Sequence, residues 1–366
     1  MRSMVILLAG ALLAAGCGPE TPAGVRFTKV DVPGAAVVLA MDGDALLVGT
    51  RRDGAQVVPG LVRRGNDGSV REIPVTSVSP YGAVAKWYSI DSDGRRIVGL
   101  GGQRGGAHSN VRWSVFTGSG TGITEKLQGF SVFGGWGAGE LVGAVVTPVG
   151  PALIGSWESA QVGLDVNVWT EESDGVTWTR QNSAGTPLES TRQALGFAKG
   201  VSARGESILI AGTQLKIDPA DTRQLPIVWR SRSGNTGWTS TPLPDAGKSG
   251  VTAAIHCADD MCAVAGSVDG KLAVWQSTGD TWTRVKQTPG IAVPDNARLA
   301  PPIDIGGHLT QIVTDNGHVK IAQTDTGTVL DASGITGTVT AAAKVGPNVY
   351  VIADETLWQV AESDVH

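Results

Sequence analysis

The sequence predicts an all-β fold: a β-propeller of seven four-stranded blades, with the ring closed by the N-terminal strand. Three observations predict it. A two-strand unit recurs at intervals of roughly 40–50 residues. Tryptophans mark further strands behind most copies. The chain carries 51 Gly and 18 Pro, which suits many turns and few long helices.

In each unit a strand of small residues leads through a turn rich in Asp, Gly or Asn to a short aliphatic strand. The copies run Leu39 to Gly49, Tyr88 to Gly99, Gly135 to Gly143, Gly200 to Gly212 and Ala254 to Gly266, with looser versions at Ile303 to Val313 and Ala343 to Ile352. In the third copy the glycines at 137 and 139 read as the turn. The long interval after it reads as extra loop from Pro148 to Val162. Trp113, Trp169, Trp229, Trp275 and Trp358 mark third strands; Trp178, Trp238 and Trp282 mark fourth strands.

Such units need a ring. Strands of Ala, Gly and Ser can converge on a narrow axis, while aliphatic and tryptophan-bearing strands fill the space between blades, so that each sheet is covered on both faces. After Trp358 too little chain remains for a good fourth strand. Val25 to Pro33 reads as an isolated strand that completes the last blade and removes an open edge.

Ahead of that strand, Arg2 precedes an apolar run from Met4 to Ala15. A permanent membrane span needs about 20 residues, so this run is a removable signal rather than an anchor. The run ends in Leu13-Ala14-Ala15-Gly16-Cys17, which resembles the lipobox of bacterial lipoproteins. The resemblance implies that residues 1–16 are a signal peptide and that the Cys17 thiol takes up a diacylglycerol. It also implies attachment to the extracytoplasmic side of the cell membrane. Residues 17–24, with Gly18, Pro19, Pro22 and Gly24, then form a flexible tether, and residues 25–366 form the propeller domain.

Cys257 and Cys262 flank a predicted hairpin turn and read as a disulfide suited to an oxidising compartment. The alternative, a metal site with His256, lacks the ligands of a structural zinc site. The chain has 29 Lys+Arg against 34 Asp+Glu; loss of Arg2 leaves 28 against 34. That acidic balance argues against general nucleic-acid binding. The histidines at 108, 256, 308, 318 and 366 show no metal-ligand spacing, and no cofactor is expected. The turns Asp42-Gly43-Asp44 and Asp91-Ser92-Asp93-Gly94 offer oxygen ligands for calcium, but too few for an EF-hand loop.

Ser173-Asp174-Gly175-Val176-Thr177-Trp178, Ser277-Thr278-Gly279-Asp280-Thr281-Trp282 and the looser Ser233 to Trp238 resemble the Asp-box, or BNR, repeats of sialidase-like propellers. The resemblance implies the fold, with Asp or Ser capping a turn above a packed Trp, and it does not imply hydrolysis. A sialidase would need an arginine cluster, an acidic proton donor and a Tyr/Glu pair at the channel. Tyr88 is the one plausible channel tyrosine, and no acid partner or arginine set matches it. No catalytic residue is assigned.

Two stretches exceed hairpin length, Gly101 to Asn110 and Pro148 to Asn167. Long loops carry binding more often than short turns do. Arg104, His108, Asn110 and Trp157 are therefore the candidate binding residues. The expected function is a monomeric, membrane-anchored, non-enzymatic binding or scaffold module for an envelope protein or glycan. The competing expectation is a glycan-cleaving hydrolase.

Overall fold

The computed structural model describes residues 24–54, 57–105 and 110–365. Cys17 and His108 lie outside the described residues. The chain forms seven sheets arranged in a ring, a seven-bladed β-propeller. The first strands of the blades are Ala35–Asp42, Lys86–Ser92, Ala138–Thr147, Ala194–Arg204, Gly250–Ala258, Ile303–Ile305 and Val339–Val345. Consecutive first strands supply many of the contacts between neighbouring blades, which places them nearest the axis.

Burial on both faces explains the sequence of the second strands. In Ala45–Arg52 the residues Ala45, Leu46, Leu47 and Val48 are all fully buried, with alternate side chains entering different inter-blade cores. Between blades 2 and 3, Val98, Leu100 and Val115 meet Ala144, Val146 and Trp169. Each fully buried side chain of this kind contributes about 1.5–3 kcal/mol.

The tryptophans hold a register. Six first strands carry a bulge, at Val37, Tyr88, Val142, Lys199, Ala253 and Thr340. Two residues past the bulge, the ladder leads across to Trp169 in blade 3, Trp229 in blade 4, Trp275 in blade 5 and Trp358 in blade 7. The first three each donate Nε1–H to a carbonyl of the connection that enters their own blade: Val132 at 2.8 Å, Pro187 at 2.9 Å and Pro244 at 2.8 Å. Trp113 does not belong to this series. In blade 2 the equivalent position, opposite Gly99, is Phe116, and Trp113 pairs with Gly102 nearer the start of its strand.

A first strand has no neighbour on its axial side, so its N–H groups need other acceptors. Several are supplied by the preceding blade. Ser89 Oγ accepts from Ala144 N at 3.0 Å and Asp91 Oδ2 from Val146 N at 2.7 Å. Ser202 Oγ accepts from Cys257 N at 3.0 Å and Thr314 Oγ1 from Val339 N at 2.9 Å. Burial at this seam pushes the Asp91 carboxyl up to about 7, against the hydrogen bonds from Val146 and Ser92 that favour its charge. Blade 6 departs from the pattern: Pro301 and Pro302 precede its short first strand, and the Gln311 side chain reaches the Ala300 carbonyl at 2.9 Å.

Three expectations change in detail. The closing strand is shared between two blades rather than given to one. Val25–Arg26 pairs in parallel with Thr328–Ser333 of blade 6, and Thr28–Lys29 pairs antiparallel with Thr356–Ala361 of blade 7. Phe27 N donates to Ser333 O and Val30 N to Leu357 O, both at 2.9 Å.

The second correction concerns the third unit. Its first strand runs to Thr147, the turn lies at Pro148 and Val149, and Gly150–Glu158 is the second strand. Gly139 and Gly143 serve close approach: a Cβ on Gly143 would lie 2.6 Å from Val201 of the next blade, while Gly135, at φ +105°, belongs to the turn that leads into the strand. It follows, thirdly, that Pro148 to Asn167 is not a long loop. Most of it lies in Gly150–Glu158 and Leu164–Glu171, strands paired with one another.

Cys257 and Cys262 face each other across the first hairpin of blade 5 and are disulfide-bonded.

Candidate functional site

One face of the ring carries the blade-to-blade connections and the turns between second and third strands. Two of its connections contain one-turn helices, Pro80–Ala83 entering blade 2 and Phe130–Phe133 entering blade 3. The first is set by local chemistry. Ser79 caps it by accepting from Gly82 N at 2.9 Å, and Pro80 sits in the first turn, where its missing N–H costs nothing. Beneath it, Glu125 Oε2 accepts from Val78 N and Ser79 N at 2.7 Å, while Oε1 accepts from Ser79 Oγ at 2.6 Å and Ser114 Oγ at 2.9 Å.

Between the helices lies a cleft of about 370 Å³, with Tyr81, Arg112, Trp113 and Phe130 on its walls and Glu125 in its lining. The Arg112 guanidinium lies over the Phe130 ring, 4.2 Å from its centroid, and 5.7 Å from that of Tyr81. Such stacking holds a planar cation in place. Arg112 Nε is buried without a hydrogen-bond partner, and Arg112 forms no ion pair among the described residues. Trp113 stands edge-to-face against Tyr88, centroids 4.7 Å apart. A second depression of about 130 Å³ shares Arg112, Trp113 and Phe130 and extends to Arg104, Asn110 and Glu140. Arg104 and Glu140 form an exposed ion pair at 3.3 Å.

Two exposed rings, Tyr81 and Phe130, line this cleft, and a third, Tyr88, packs on Trp113 of its wall. Tyr81, Tyr88, Phe130 and Trp136 lie within one sector of the chain, with Phe130 60% and Trp136 100% exposed; Phe197 is the other large exposed ring among the described residues.

The structure therefore brings Arg104 and Asn110 to one site; Trp157 lines neither depression, but it pairs with Ala138 of the second and packs behind it in the core shared with Trp113 and Phe133. Trp157 lies on the second strand of blade 3, edge-to-face on Trp169 at 6.2 Å, with the Arg180 guanidinium 4.5 Å from its ring. Arg112, Tyr81 and Phe130 were not singled out from the sequence. The offset of Trp113 from the other third-strand tryptophans shows only in the strand register and is no sequence signal for them.

The acidic turns are internally engaged. Asp42 accepts from Arg63 Nε and Ser92 Oγ, both at 2.6 Å, and Asp93 accepts from Arg95 N and Arg96 N. No group of three His, Cys, Asp or Glu side chains is placed to hold a metal ion among the described residues. At 173–178 Asp174 caps its turn through Val176 N and Thr177 N at 2.8 Å, and Trp178 is buried beneath. At 277–282, by contrast, Asp280 bridges Arg204 and Arg230 of blade 4.

No protein-family model matches the sequence, and no curated protein matches it. Among solved structures, the β-propeller domain of the Trilobed protease from Pyrococcus furiosus is similar with a TM-score of 0.50 and 8% identity, over 89% of this chain and 95% of that one. The computationally designed Ika8 protein gives 0.48 and 12%, over 92% and 99%. The phage phi92 endosialidase gives 0.48 and 8%, over 92% and 69%. At these identities the likeness shows the fold alone. The Pyrococcus domain is described as having an open velcro topology, whereas here Thr28–Lys29 closes the last blade.

Proposed function

We propose that this chain is a lipid-anchored extracytoplasmic lipoprotein whose propeller is a non-enzymatic binding module for an envelope glycan or protein. The cleft at blades 2 and 3 is its recognition surface. The observation that carries the reading is the pair of exposed rings, Tyr81 and Phe130, that flank Arg112, a stacked cation with no ion pair among the described residues. Clefts lined by aromatic side chains with a few placed polar groups are the usual form of a ligand site. Support for the anchor is the Leu13 to Cys17 segment, followed by a short tether ahead of the first strand. The Asp-box likeness is read as turn chemistry of the kind Asp174 performs.

The engagement of the carboxylates supports the reading of binding without cleavage. Glu125 has both oxygens occupied by four donors, and Glu140 is paired with Arg104. Glycoside hydrolysis needs two carboxyl groups free to act on one bond. Turnover of any member of a fluorogenic glycoside panel would replace the binding reading with the hydrolase reading.

The direct test retains purified envelope fractions on immobilised protein. Phe130→Ala, at a ring 60% exposed, is expected to lower retention at least tenfold while the melting temperature holds. Retention equal to wild type would remove the cleft from consideration. The anchor is tested separately: Cys17→Ala is expected to move the protein from the membrane to the soluble fraction, and persistence at the membrane would defeat lipidation.

A further inference from the structure

We propose that the cleft recognises a carboxylate-bearing sugar residue of an acidic glycan, with Arg112 as the residue that binds the carboxylate. This rests on the binding reading above and narrows it to a ligand class. Arg112 has its Nε buried without a partner and makes no ion pair among the described residues, while Phe130 and Tyr81 hold its plane. Its terminal guanidinium nitrogens make no hydrogen bond among the described residues either, and Arg112 lines both depressions, so a bound acceptor in the cleft would meet donor capacity that the protein leaves unmet. Nearby Arg104 already has a counter-ion in Glu140, so the open positive charge lies at the Arg112 end of the cleft.

The shape of the donor selects the acceptor. A guanidinium offers parallel N–H groups in a rigid plane, which match the two oxygens of a carboxylate. Around it, the rings of Tyr81, Trp113 and Phe130 line the cleft with apolar surface that loses little freedom on binding. A pyranose presents a C–H face to such a platform and a carboxylate at its edge. Lys126, which also lines the cleft, adds a second positive charge, shared with Asp174, whose carboxyl its field helps to hold in the charged form. A neutral sugar would leave the stacked cation unmet, and a purely apolar peptide would bury it against nothing.

The test uses purified protein with a panel of defined ligands: oligogalacturonate, oligoalginate, sialyllactose and muramyl glycan strands, each also as its methyl ester. Titration by fluorescence is expected to find at least one acid bound, weakened at least tenfold by esterification and to the same degree by Arg112→Gln. Arg112→Lys keeps the charge and loses the fork, so it is expected to restore only part of the affinity. Because the esterified ligand is tested on wild-type protein, a variant that folds poorly does not blunt the result. Equal binding of acid and ester, or no binding across the panel, overturns the proposal. If a neutral glycan or a peptide with a free C-terminal carboxylate binds instead, in a Phe130-dependent way, the binding reading stands and the acidic-sugar assignment fails. If no ligand responds to any cleft variant, both fail together.

Discussion

Asp91 sits where two blades meet, and its carboxyl is costly there in the charged form. Its pKa in the folded chain, raised to about 7, exceeds the ordinary value of 3.8 in the unfolded chain. The contribution to stability is therefore fully present below about pH 4 and is lost as pH rises through 7. A shift of this size corresponds to at most about 4 kcal/mol, reduced because the residue is partly open to solvent. Asp91→Asn keeps an acceptor for Val146 N and removes the charge. Denaturant midpoints measured from pH 4 to 8 are expected to fall for wild type and to stay flatter for the variant; parallel profiles would contradict this. Gly82 is a second sensitive residue. A Cβ there would lie 2.0 Å from Glu125 Oε2. Gly82→Ala is expected to cost about 1–3 kcal/mol by overpacking, and to weaken cleft binding because the helix bearing Tyr81 must move.

At the scale of the element, the third-strand tryptophans act as fasteners between a blade and the connection that enters it. Trp229→Phe keeps the apolar body but strands the Pro187 carbonyl. Because Pro187 is exposed, the cost is that of one lost hydrogen bond, about 0.5–1.5 kcal/mol. Proteolysis is expected to become faster in the 181–193 connection, while Trp282→Phe, at a partly exposed site, serves as the control; equal rates would count against the fastening role.

Strands and blade number were legible because the Gly-flanked aliphatic runs and the tryptophans recur with the repeat. The third unit misled because glycine carries two meanings. In Gly135 to Gly143 it reads as a turn, yet Gly143 and Gly155 are there because Val201 and Leu141 come too close for a side chain. That error turned two paired strands into a loop and made Trp157 a candidate. The cleft was half legible. Loop length led to Arg104 and Asn110, but Arg112, Tyr81 and Phe130 meet only through the packing of two connections from different blades, and no local pattern encodes that meeting.

Across the whole molecule, every blade is covered by its neighbours, and the last gap is closed by a strand from the other end of the chain. Removing residues 1–33 strips one edge from blade 6 and one strand from blade 7 together. Such a truncation is expected to lower the melting temperature of the whole ring in one transition rather than to free a single blade. A two-step melt with five blades unaffected would argue that closure is local.

That shared strand also fixes how the molecule would bear load. From Val25 to Val30 the chain runs alongside the final strand of blade 6 and then that of blade 7, and its hydrogen bonds lie crosswise to its own direction. A pull on the N-terminus along the strand strains these bonds side by side, so they must yield together. The same bonds pulled from the side would open one after another, like a zip. A chain tethered at that end and buffeted at the other would thus meet force through its strongest arrangement, and single-molecule extension from the N-terminus should show a higher rupture force than extension through a handle placed across the blade 6 edge.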